Sequence, residues 1–318
     1  MTEPQRLLID TDPGADDAVA ILLALRTSGI EVVALTTVVG NIDVEQATSN
    51  ALAVLDVADR HDIPVYRGAA VALAGNVVEH AVSVHGSDGF GDHHFPEVGA
   101  IRPESALDAT LDILRSDGPE LTWVALGPLT NVAHAVQADP EICRRVREVV
   151  VMGGTGDGIG NVTPAAEFNF WADPEAARVV LGAGLALRLV GWDVSRRDAV
   201  VGPHELDRLR ASDDPLAHFA LAVCRTYLEF NDGTQQPSGS MGMPDPVALL
   251  AALEPERATW RRVAADVECR GDLTRGALVI DHLSRTGATP NIDLCTAFDP
   301  ARFKELFVAR LTSGGTRR

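Results

Sequence analysis

Positive charge is scarce in this sequence. Its 318 residues include 45 aspartates and glutamates against 27 lysines and arginines, the formal net charge is −18, and the one lysine is Lys304. Proteins that bind nucleic acids or anionic membranes need clustered cations on their surface. We therefore expect neither as a partner, and we expect a metal cation or an uncharged small molecule instead.

Three other features are missing. The four cysteines lie far apart in the sequence, without the short spacings of zinc sites, so we interpret them as reduced thiols. No apolar run reaches the roughly 18 residues that a membrane helix needs. No apolar segment of the signal-peptide type precedes the first predicted strand. These absences predict a cytoplasmic protein.

Apolar runs and helical patterns alternate along the chain. The runs at 7–9 and 32–39 predict buried strands, and the helical spacing at 16–27 joins them into a βαβ unit. Further predicted strands are 63–66, 121–126, 148–152, 186–190, 259–269 and 277–281. Further predicted helices are 44–60, 129–137, 174–181, 216–230, 246–253 and 300–311. We predict one α/β domain, 1–318, with a doubly wound, mostly parallel central sheet flanked by helices.

Three polar segments interrupt this alternation, at residues 68–102, 153–168 and 231–243. Loops of such length in a compact domain are usually functional or disordered. Ligands of open α/β sheets bind at the carboxyl ends of the strands, where most of these loops begin. We therefore expect the loops to border a binding site.

The sharpest feature is the run DTDPGADD at residues 10–17. Helix capping and the helix dipole explain one or two acids at the start of a helix, but not four. Carboxylates this close together repel unless a cation lies between them. A set of oxygen ligands suits Ca²⁺ or Mg²⁺ rather than zinc. The run is therefore a candidate metal or catalytic site.

The string DTDPGADDAVAI, residues 10–21, resembles the signature of the nucleoside hydrolases, the inosine–uridine-preferring family. Other segments match that family in the same order: TTVVGN at 36–41, HG at 85–86, LGPLTN at 126–131, VMGG at 151–154, AEFN at 166–169, DPEAA at 173–177 and DP at 245–246. Each match is weak alone, but all of them in register are highly specific. The resemblance implies the nucleoside hydrolase fold, a ribonucleoside substrate, Ca²⁺ as cofactor, and a homodimer or homotetramer.

The resemblance also implies a role for each matching residue. Asp12 corresponds to the catalytic base, which acts on a water held by calcium, and His85 to a catalytic histidine near the nucleobase. The implied metal-binding residues are Asp10, Asp12, Asp17, Asp245 and, through its backbone carbonyl, Leu126. The implied substrate-binding residues are Asp16, Asn41, Met152, Asn161, Glu167 and Asn169. Such carboxylates suit the reaction, because departure of the base leaves positive charge on the ribose.

One position departs from the family pattern. Many members have a histidine before the second calcium aspartate, where it helps the base to leave, whereas this chain has Pro244. Because proline cannot donate a proton, the leaving base must be activated in another way. Candidates are His85, Tyr227, Asp232 and stacking by Phe230. The preference for purine or pyrimidine bases is open at this point.

Two alternative functions remain. Asp10 and Asp12 at a strand end are similar to the start of haloacid dehalogenase-type phosphatases, but Gly14 stands where that family has Thr or Val. That chemistry also requires a lysine, and the one lysine of this sequence, Lys304, lies in the predicted last helix. A non-catalytic nucleoside- or ribose-binding protein could retain the pocket, yet it would not require Asp12 as a base.

Overall fold

The computed structural model describes residues 3–96, 99–230 and 236–314. Its strands are β1 (Gln5–Thr11), β2 (Ile30–Thr37), β3 (Val65–Arg67), β4 (Leu121–Ala125), β5 (Glu148–Met152), β6 (Leu187–Val190), β7 (Val200–Val201), β8 (Met241–Gly242), β9 (Ala258–Val263), β10 (Ala265–Val267), β11 (Leu278–Ile280) and β12 (Ile292–Phe298). Within these ranges the main sheet has eight strands in the order β3-β2-β1-β4-β5-β6-β12-β9. All neighbours in it are parallel except β12 and β9, which confirms the predicted fold class.

Helices connect these strands. They are α1 (Ala15–Leu25), α2 (Val44–Val57), α3 (Val82–His85), α4 (Ala106–Asp117), α5 (Thr130–Ala138), α6 (Pro140–Cys143), α7 (Phe168–Ala172), α8 (Pro174–Leu181), α9 (Trp192–Asp198), α10 (Pro203–Arg210), α11 (Pro215–Val223), α12 (Arg225–Phe230), α13 (Pro244–Leu253) and α14 (Pro300–Thr312), with short 3₁₀ turns at Gly118–Glu120 and Pro255–Arg257. Within the described ranges, none of them combines the length and the apolarity that crossing a membrane would require.

The sheet separates two hydrophobic cores. Leu7 and Ile9 of β1 pack on one face with apolar residues of α1, α13 and α14, whereas Leu8 packs on the other face with residues of α4, α5 and α8. Successive side chains of a strand point to opposite faces, so a strand covered on both sides must be apolar at every position. This explains the unbroken run LLI in β1.

The strand order reverses direction at β1. The chain moves outward from β1 through β2 to β3, and then returns to β4 on the other side of β1. Loops that leave β1 and β4 at their carboxyl ends therefore diverge and open a crevice between them. Such a switch point is the usual ligand site of an open α/β sheet.

Several predicted boundaries were wrong. The helix predicted at 216–230 is divided at Cys224 into α11 and α12. The strand predicted at 259–269 is divided at Ala264 into β9 of the main sheet and β10 of a separate hairpin with β11. The side chain of Asn291 hydrogen-bonds both the N–H and the carbonyl of Ala265, at 2.8 and 2.9 Å. These bonds occupy the backbone of Ala265, so pairing with the main sheet ends before it.

Asn131, near the start of α5, ties the end of β1 to its neighbours. Its Nδ2 donates to Asp10 Oδ1 at 2.7 Å and to the carbonyl of Thr37 at 2.9 Å. Its Oδ1 accepts the N–H of Ala69 at 2.9 Å. One buried amide thus joins β1, β2, α5 and the loop after β3.

We predict that Asn131→Ala lowers the free energy of unfolding by about 2–4 kcal/mol, because it leaves several buried polar groups without partners. Chemical denaturation followed by circular dichroism measures this change. As a control, Gln137→Ala alters an exposed position of the same helix and should change stability by less than about 0.5 kcal/mol. Equal effects of the two substitutions would contradict the assigned role of Asn131.

Candidate active site

The carboxyl end of β1 forms the floor of the crevice. The carbonyl of Asp10 accepts the N–H of Leu126 at 2.8 Å, and the carbonyl of Thr11 accepts the N–H of Val38 at 3.1 Å. The chain then turns into α1, whose first turn contains Asp16 and Asp17. The run of acids predicted from the sequence therefore lies at the switch point of the sheet.

Asp17 is held by four hydrogen-bond donors. Its Oδ1 accepts from the hydroxyl of Thr11 at 2.5 Å and from the N–H of Asp12 at 3.2 Å. Its Oδ2 accepts from the N–H of Gly14 at 3.0 Å and from Nδ2 of Asn41 at 3.3 Å. These bonds fix the carboxylate in one orientation at the start of the helix.

Asp16, Asp17 and Asp245 converge, although Asp245 is distant in sequence and begins a different helix. One carboxylate oxygen from each lies within 4.8 Å of the others, and all three side chains are buried. Burial raises the pKa of Asp16 to about 6. Burial and the charges of Asp16 and Asp17 raise the pKa of Asp245 well above its ordinary value. Such a group is stabilised by a cation between its members or by protonation of one of the carboxylates.

The donor set fits a hard divalent cation. The converging atoms are carboxylate oxygens, which Ca²⁺ and Mg²⁺ prefer as ligands. Among the described residues, Asp16 Oδ1 is buried and has no hydrogen-bond partner. A buried oxygen without a partner is costly unless an ion or water satisfies it. The group of Asp16, Asp17 and Asp245 could therefore hold a metal ion.

Asp12 lies beside this group in a confined space. Its Oδ2 accepts the N–H of Asn41 at 2.6 Å. A Cβ built on Gly40 would lie 2.0 Å from Asp12 Oδ2, and one built on Gly127 would lie 2.5 Å from Asp12 Oδ1. Burial and the charge of Asp17 raise the pKa of Asp12 well above its ordinary value. The two glycines thus leave room for one carboxylate in one position.

Asp10 occupies a different environment. Its Oδ1 accepts from the hydroxyl of Thr36 at 2.5 Å and from Asn131 at 2.7 Å, and burial raises its pKa to about 7. Its Oδ2 is buried without a partner among the described residues. Asp10 does not belong to the converging group of three. Its role as a metal ligand therefore stays a prediction.

The other predicted substrate-binding residues meet around α7. Glu167 caps this helix by accepting the N–H groups of Asn169 and Phe170 at 2.8 and 3.2 Å. It also accepts the N–H of Gly154, after β5, at 2.8 Å. Burial raises the pKa of Glu167 to about 7. Asn161 Oδ1 accepts the N–H of Phe168 at 2.9 Å. The predicted substrate-binding residues Asn161 and Glu167 are therefore neighbours at the start of α7.

Asn169 links α7 to the ends of β4 and β5. Its Nδ2 donates to the carbonyl of Leu126 at 2.6 Å and lies 3.2 Å from the carbonyl of Met152. The side chain also lies 3.3 Å from Met152 Sδ. The three predicted residues Leu126, Met152 and Asn169 are thus in direct contact.

His85 ends the short helix α3, in the middle of the first long polar segment, 68–102. Its Nδ1 accepts the N–H of Ala15 at 3.2 Å and lies 3.9 Å from Asp16 Oδ1. Because Nδ1 accepts, the proton of the neutral ring is on Nε2. Burial lowers the pKa of His85 to about 4, so the ring is neutral at neutral pH. The ring of Tyr227 lies 6.1 Å away, centroid to centroid.

Many of these residues surround a cavity of about 410 Å³, whereas Asp10, Asp12 and Asp17 lie behind its wall. Its wall includes the predicted residues Asp16, Asn41, His85, Leu126, Met152, Asn161, Glu167, Asn169 and Asp245. It also includes residues that the sequence did not indicate as functional, among them Glu79, His80, Phe168 and Gln236. Glu79, His80 and Gln236 lie in two of the polar segments that were expected to border a site, and Phe168 lies in the matched segment 166–169, but no signal in the sequence singled out these individual side chains.

The family model for inosine-uridine preferring nucleoside hydrolases matches residues 7–305 of the chain. The chain belongs to this family. It is an N-glycosyl hydrolase that acts on ribonucleosides, and the resemblance seen in the sequence is confirmed. The phosphatase and the non-catalytic binding protein are accordingly not supported.

Relatives match over nearly their whole length. A pyrimidine-specific ribonucleoside hydrolase of Enterobacter sp. (strain 638) is 34% identical over 313 residues, which cover 98% of this chain and 99% of the relative. A solved plant nucleoside hydrolase is 32% identical with a TM-score of 0.92, over 98% of this chain and 99% of the other. A purine-preferring ribonucleoside hydrolase from Gardnerella vaginalis is 28% identical with a TM-score of 0.90, over 97% and 98%.

One side of the cavity carries Pro244, at the position where the resemblance leads us to expect a histidine. Pro244 begins α13 and contributes to the wall, together with Tyr227 and Phe230. Burial and the charge of Asp16 raise the pKa of Tyr227 well above its ordinary value, so its hydroxyl stays a neutral donor. Phe230 is 52% exposed and Tyr227 is 7% exposed. Asp232, another candidate from the sequence, lies outside the described residues.

We predict that Gly40→Ala lowers kcat/KM for uridine by about 100-fold, because the added methyl group would displace the Asp12 carboxylate. Steady-state release of uracil measures this loss. In the control variant Gly182→Ala, the added methyl group would meet no atom closer than 3.4 Å. If Gly40→Ala is as active as Gly182→Ala, the position of the Asp12 carboxylate does not affect uridine hydrolysis.

Proposed function

We propose that this ribonucleoside hydrolase requires Ca²⁺ and uses Asp12 as the base that activates the attacking water. The observation that carries the proposal is the approach of Asp245 to Asp16 and Asp17 within 4.8 Å, beside Asp12. Residues that are distant in sequence thereby form one acidic centre, of which Asp16 and Asp245 border the cavity.

The metal would be held by Asp17, Asp245 and the carbonyl of Leu126. Asp16 adds a buried oxygen without a hydrogen-bond partner among the described residues. Ca²⁺ accepts six to eight oxygen ligands in flexible geometry, which suits carboxylates combined with a backbone carbonyl. When bound, Ca²⁺ would orient the water and the ribose hydroxyls and would make the water more acidic. Asp10 and Asp12 complete the acidic surroundings that the sequence predicts for the metal.

Asp12 takes a proton from the attacking water. Its oxygen Oδ2 is oriented by the N–H of Asn41 at 2.6 Å, and the close approach of Gly40 and Gly127 keeps the carboxylate in this position. The water oxygen bonds to the anomeric carbon while the bond from that carbon to the base breaks. Direct attack by water predicts inversion at the anomeric carbon.

The ribose is recognised by Asp16, Asn41 and the residues around α7. The acids of the cavity stabilise the positive charge that develops on the ring as the base departs. Asn161 and Glu167 are suited to the 5′-hydroxyl, because their side chains meet at the start of α7. We propose that ribose contacts dominate specificity, so that the purine and pyrimidine preferences named for relatives do not transfer directly to this chain.

The departing base leaves beside His85 and Tyr227. Both are neutral, and both can donate a hydrogen bond to a base that gains negative charge. We also expect a homodimer or homotetramer, as the resemblance implies, and a cytoplasmic location, as the sequence predicts.

We predict that Asp12→Ala lowers kcat for uridine by about 10²–10⁴-fold, because the base for the water is lost. Calcium binding, measured by titration calorimetry, should remain. Asp213→Ala removes an exposed carboxylate and should leave kcat unchanged. Substantial turnover by Asp12→Ala would assign the base to another residue.

We predict that chelation of calcium by EDTA abolishes uridine hydrolysis and lowers the melting temperature, since a bound ion stabilises the folded state by about 2.7 kcal/mol at 100 times its Kd. Added CaCl₂ should restore both properties. Asp245→Asn should weaken calcium binding in calorimetry independently of any assay of activity. Turnover that persists unchanged in excess EDTA would refute the metal requirement.

A further inference from the structure

Asn50, in α2, carries a buried amide close to the candidate site. It is only 4% exposed, and it is not among the described residues that line the cavity. Its Nδ2 donates to the carbonyl of Pro13 at 2.9 Å and to the carbonyl of Asp88 at 2.8 Å. One amide therefore joins the turn that follows Asp12 to the loop that follows His85.

Two neighbours fix this contact. Gln46, one turn earlier in α2, donates from Nε2 to Asn50 Oδ1 at 2.9 Å, so Nδ2 is the atom that faces the two carbonyls. Gly89 has a φ of +78°, and a Cβ built on it would lie 2.9 Å from Asn50 Nδ2 and 3.1 Å from the carbonyl oxygen of Pro13. A side chain at position 89 would therefore push the loop away from the turn.

The turn itself is anchored by other bonds. Asp17 accepts the N–H groups of Asp12 and Gly14 at 3.2 and 3.0 Å. The N–H of Asn41 donates to Asp12 Oδ2 at 2.6 Å. Because these bonds are independent of Asn50, the turn should keep its place when the amide is removed.

The loop depends more strongly on the amide. Asp88 Oδ1 accepts the N–H of Phe90 at 2.8 Å, and the carbonyl of His85 accepts the N–H of Gly91 at 2.9 Å. These bonds lie within the loop, so they shape it without setting its distance from the turn. Phe90 anchors the loop in the apolar core, but apolar packing is non-directional, whereas the two bonds of Asn50 fix distance and direction.

The position of His85 depends on this distance. Its ring borders the cavity, and its Nδ1 accepts the N–H of Ala15 at 3.2 Å. A Cβ built on Gly14 would lie 2.8 Å from Nδ1, so the ring stands directly against the turn. The proton on Nε2 is the donor that remains for a ligand. A shift of the loop would misalign this donor, and a hydrogen bond weakens steeply as its geometry worsens.

We propose that Asn50 is a positioning residue that holds His85 at the departing base. This inference rests on the proposed function, in which the base leaves beside His85 with the electron pair of the glycosidic bond. His85 donates a hydrogen bond from Nε2 without giving up its proton, and the base then takes its proton from solvent. By tying the loop to the turn, the amide sets the distance between Asp12, which activates the water, and His85, which receives the base.

The test compares two substrates that differ in their need for help in leaving. Uridine releases a poor leaving group, whereas p-nitrophenyl riboside releases a stable phenolate. Asn50→Leu keeps the approximate volume of the side chain and removes its polar atoms. We expect this variant to lose about 10- to 100-fold in kcat/KM for uridine and less than about threefold for p-nitrophenyl riboside.

A double-mutant cycle shows whether the amide acts through the histidine. In the His85→Ala background, Asn50→Leu should cause less than about twofold further loss with uridine, because the donor that the amide positions is already absent. A loss of the same size in both backgrounds, or with both substrates, would assign Asn50 a purely structural role. Full activity of Asn50→Leu would show that the amide is not needed. Each of these results would overturn the inference.

The matched control is Asn291→Leu. Asn291 Nδ2 also donates to two carbonyls, those of Leu181 and Ala265, at 3.0 and 2.9 Å. This variant should lower the melting temperature, as Asn50→Leu does, and leave kcat/KM for both substrates unchanged. If Asn50→Leu does not fold in thermal unfolding, Asn50→Asp, which keeps the shape but cannot donate, takes its place. Failure of the wild-type enzyme with calcium to cleave either substrate would instead refute the proposed function, and the inference with it.

Discussion

Three carboxylates that repel one another share a buried volume in this protein, and much of the surrounding structure serves to hold them there. Asp16 and Asp17 begin α1, and Asp245 lies in the first turn of α13. In water such a group would separate, because like charges and lost hydration both oppose the arrangement. Packing of the two helices in one apolar core prevents this separation. A cation is the simplest way to balance the charge, which ties the fold to the proposed cofactor.

The topology explains why the site lies where it does. The strand order reverses beside β1, so the loops after β1 and β4 separate and leave the crevice open. Residues from the first loops supply the acids, and α7 supplies the amides and the carboxylate proposed for the ribose. Hydrogen bonds from Asn169 to Leu126 and from Asn41 to Asp12 connect these parts at 2.6 Å each. These bonds hold the carbonyl of Leu126 and the carboxylate of Asp12 in position.

The two sides of the cavity differ in their electrostatic character. The side of Asp12, Asp16 and Asp245 is anionic, which favours the positive charge that develops on ribose. The side on which we propose that the base departs presents the neutral donors His85 and Tyr227. Neutral donors stabilise an anionic base without the cost of a buried cation.

The sequence by itself determined the fold class and most of the candidate site. Alternating apolar runs are a local signal, and DTDPGADD and the matching segments name their residues directly. Strand β12 was missed, and the helix at 216–230 was not divided, because those features depend on partners distant in the chain. Only the tertiary structure decided that Asp245 meets Asp17, that Asp10 is engaged by Thr36 and Asn131, and that Gln236 borders the cavity. The physical reason is that periodicity and local motifs report neighbouring residues, whereas a site is formed by contacts that only the folded chain brings together.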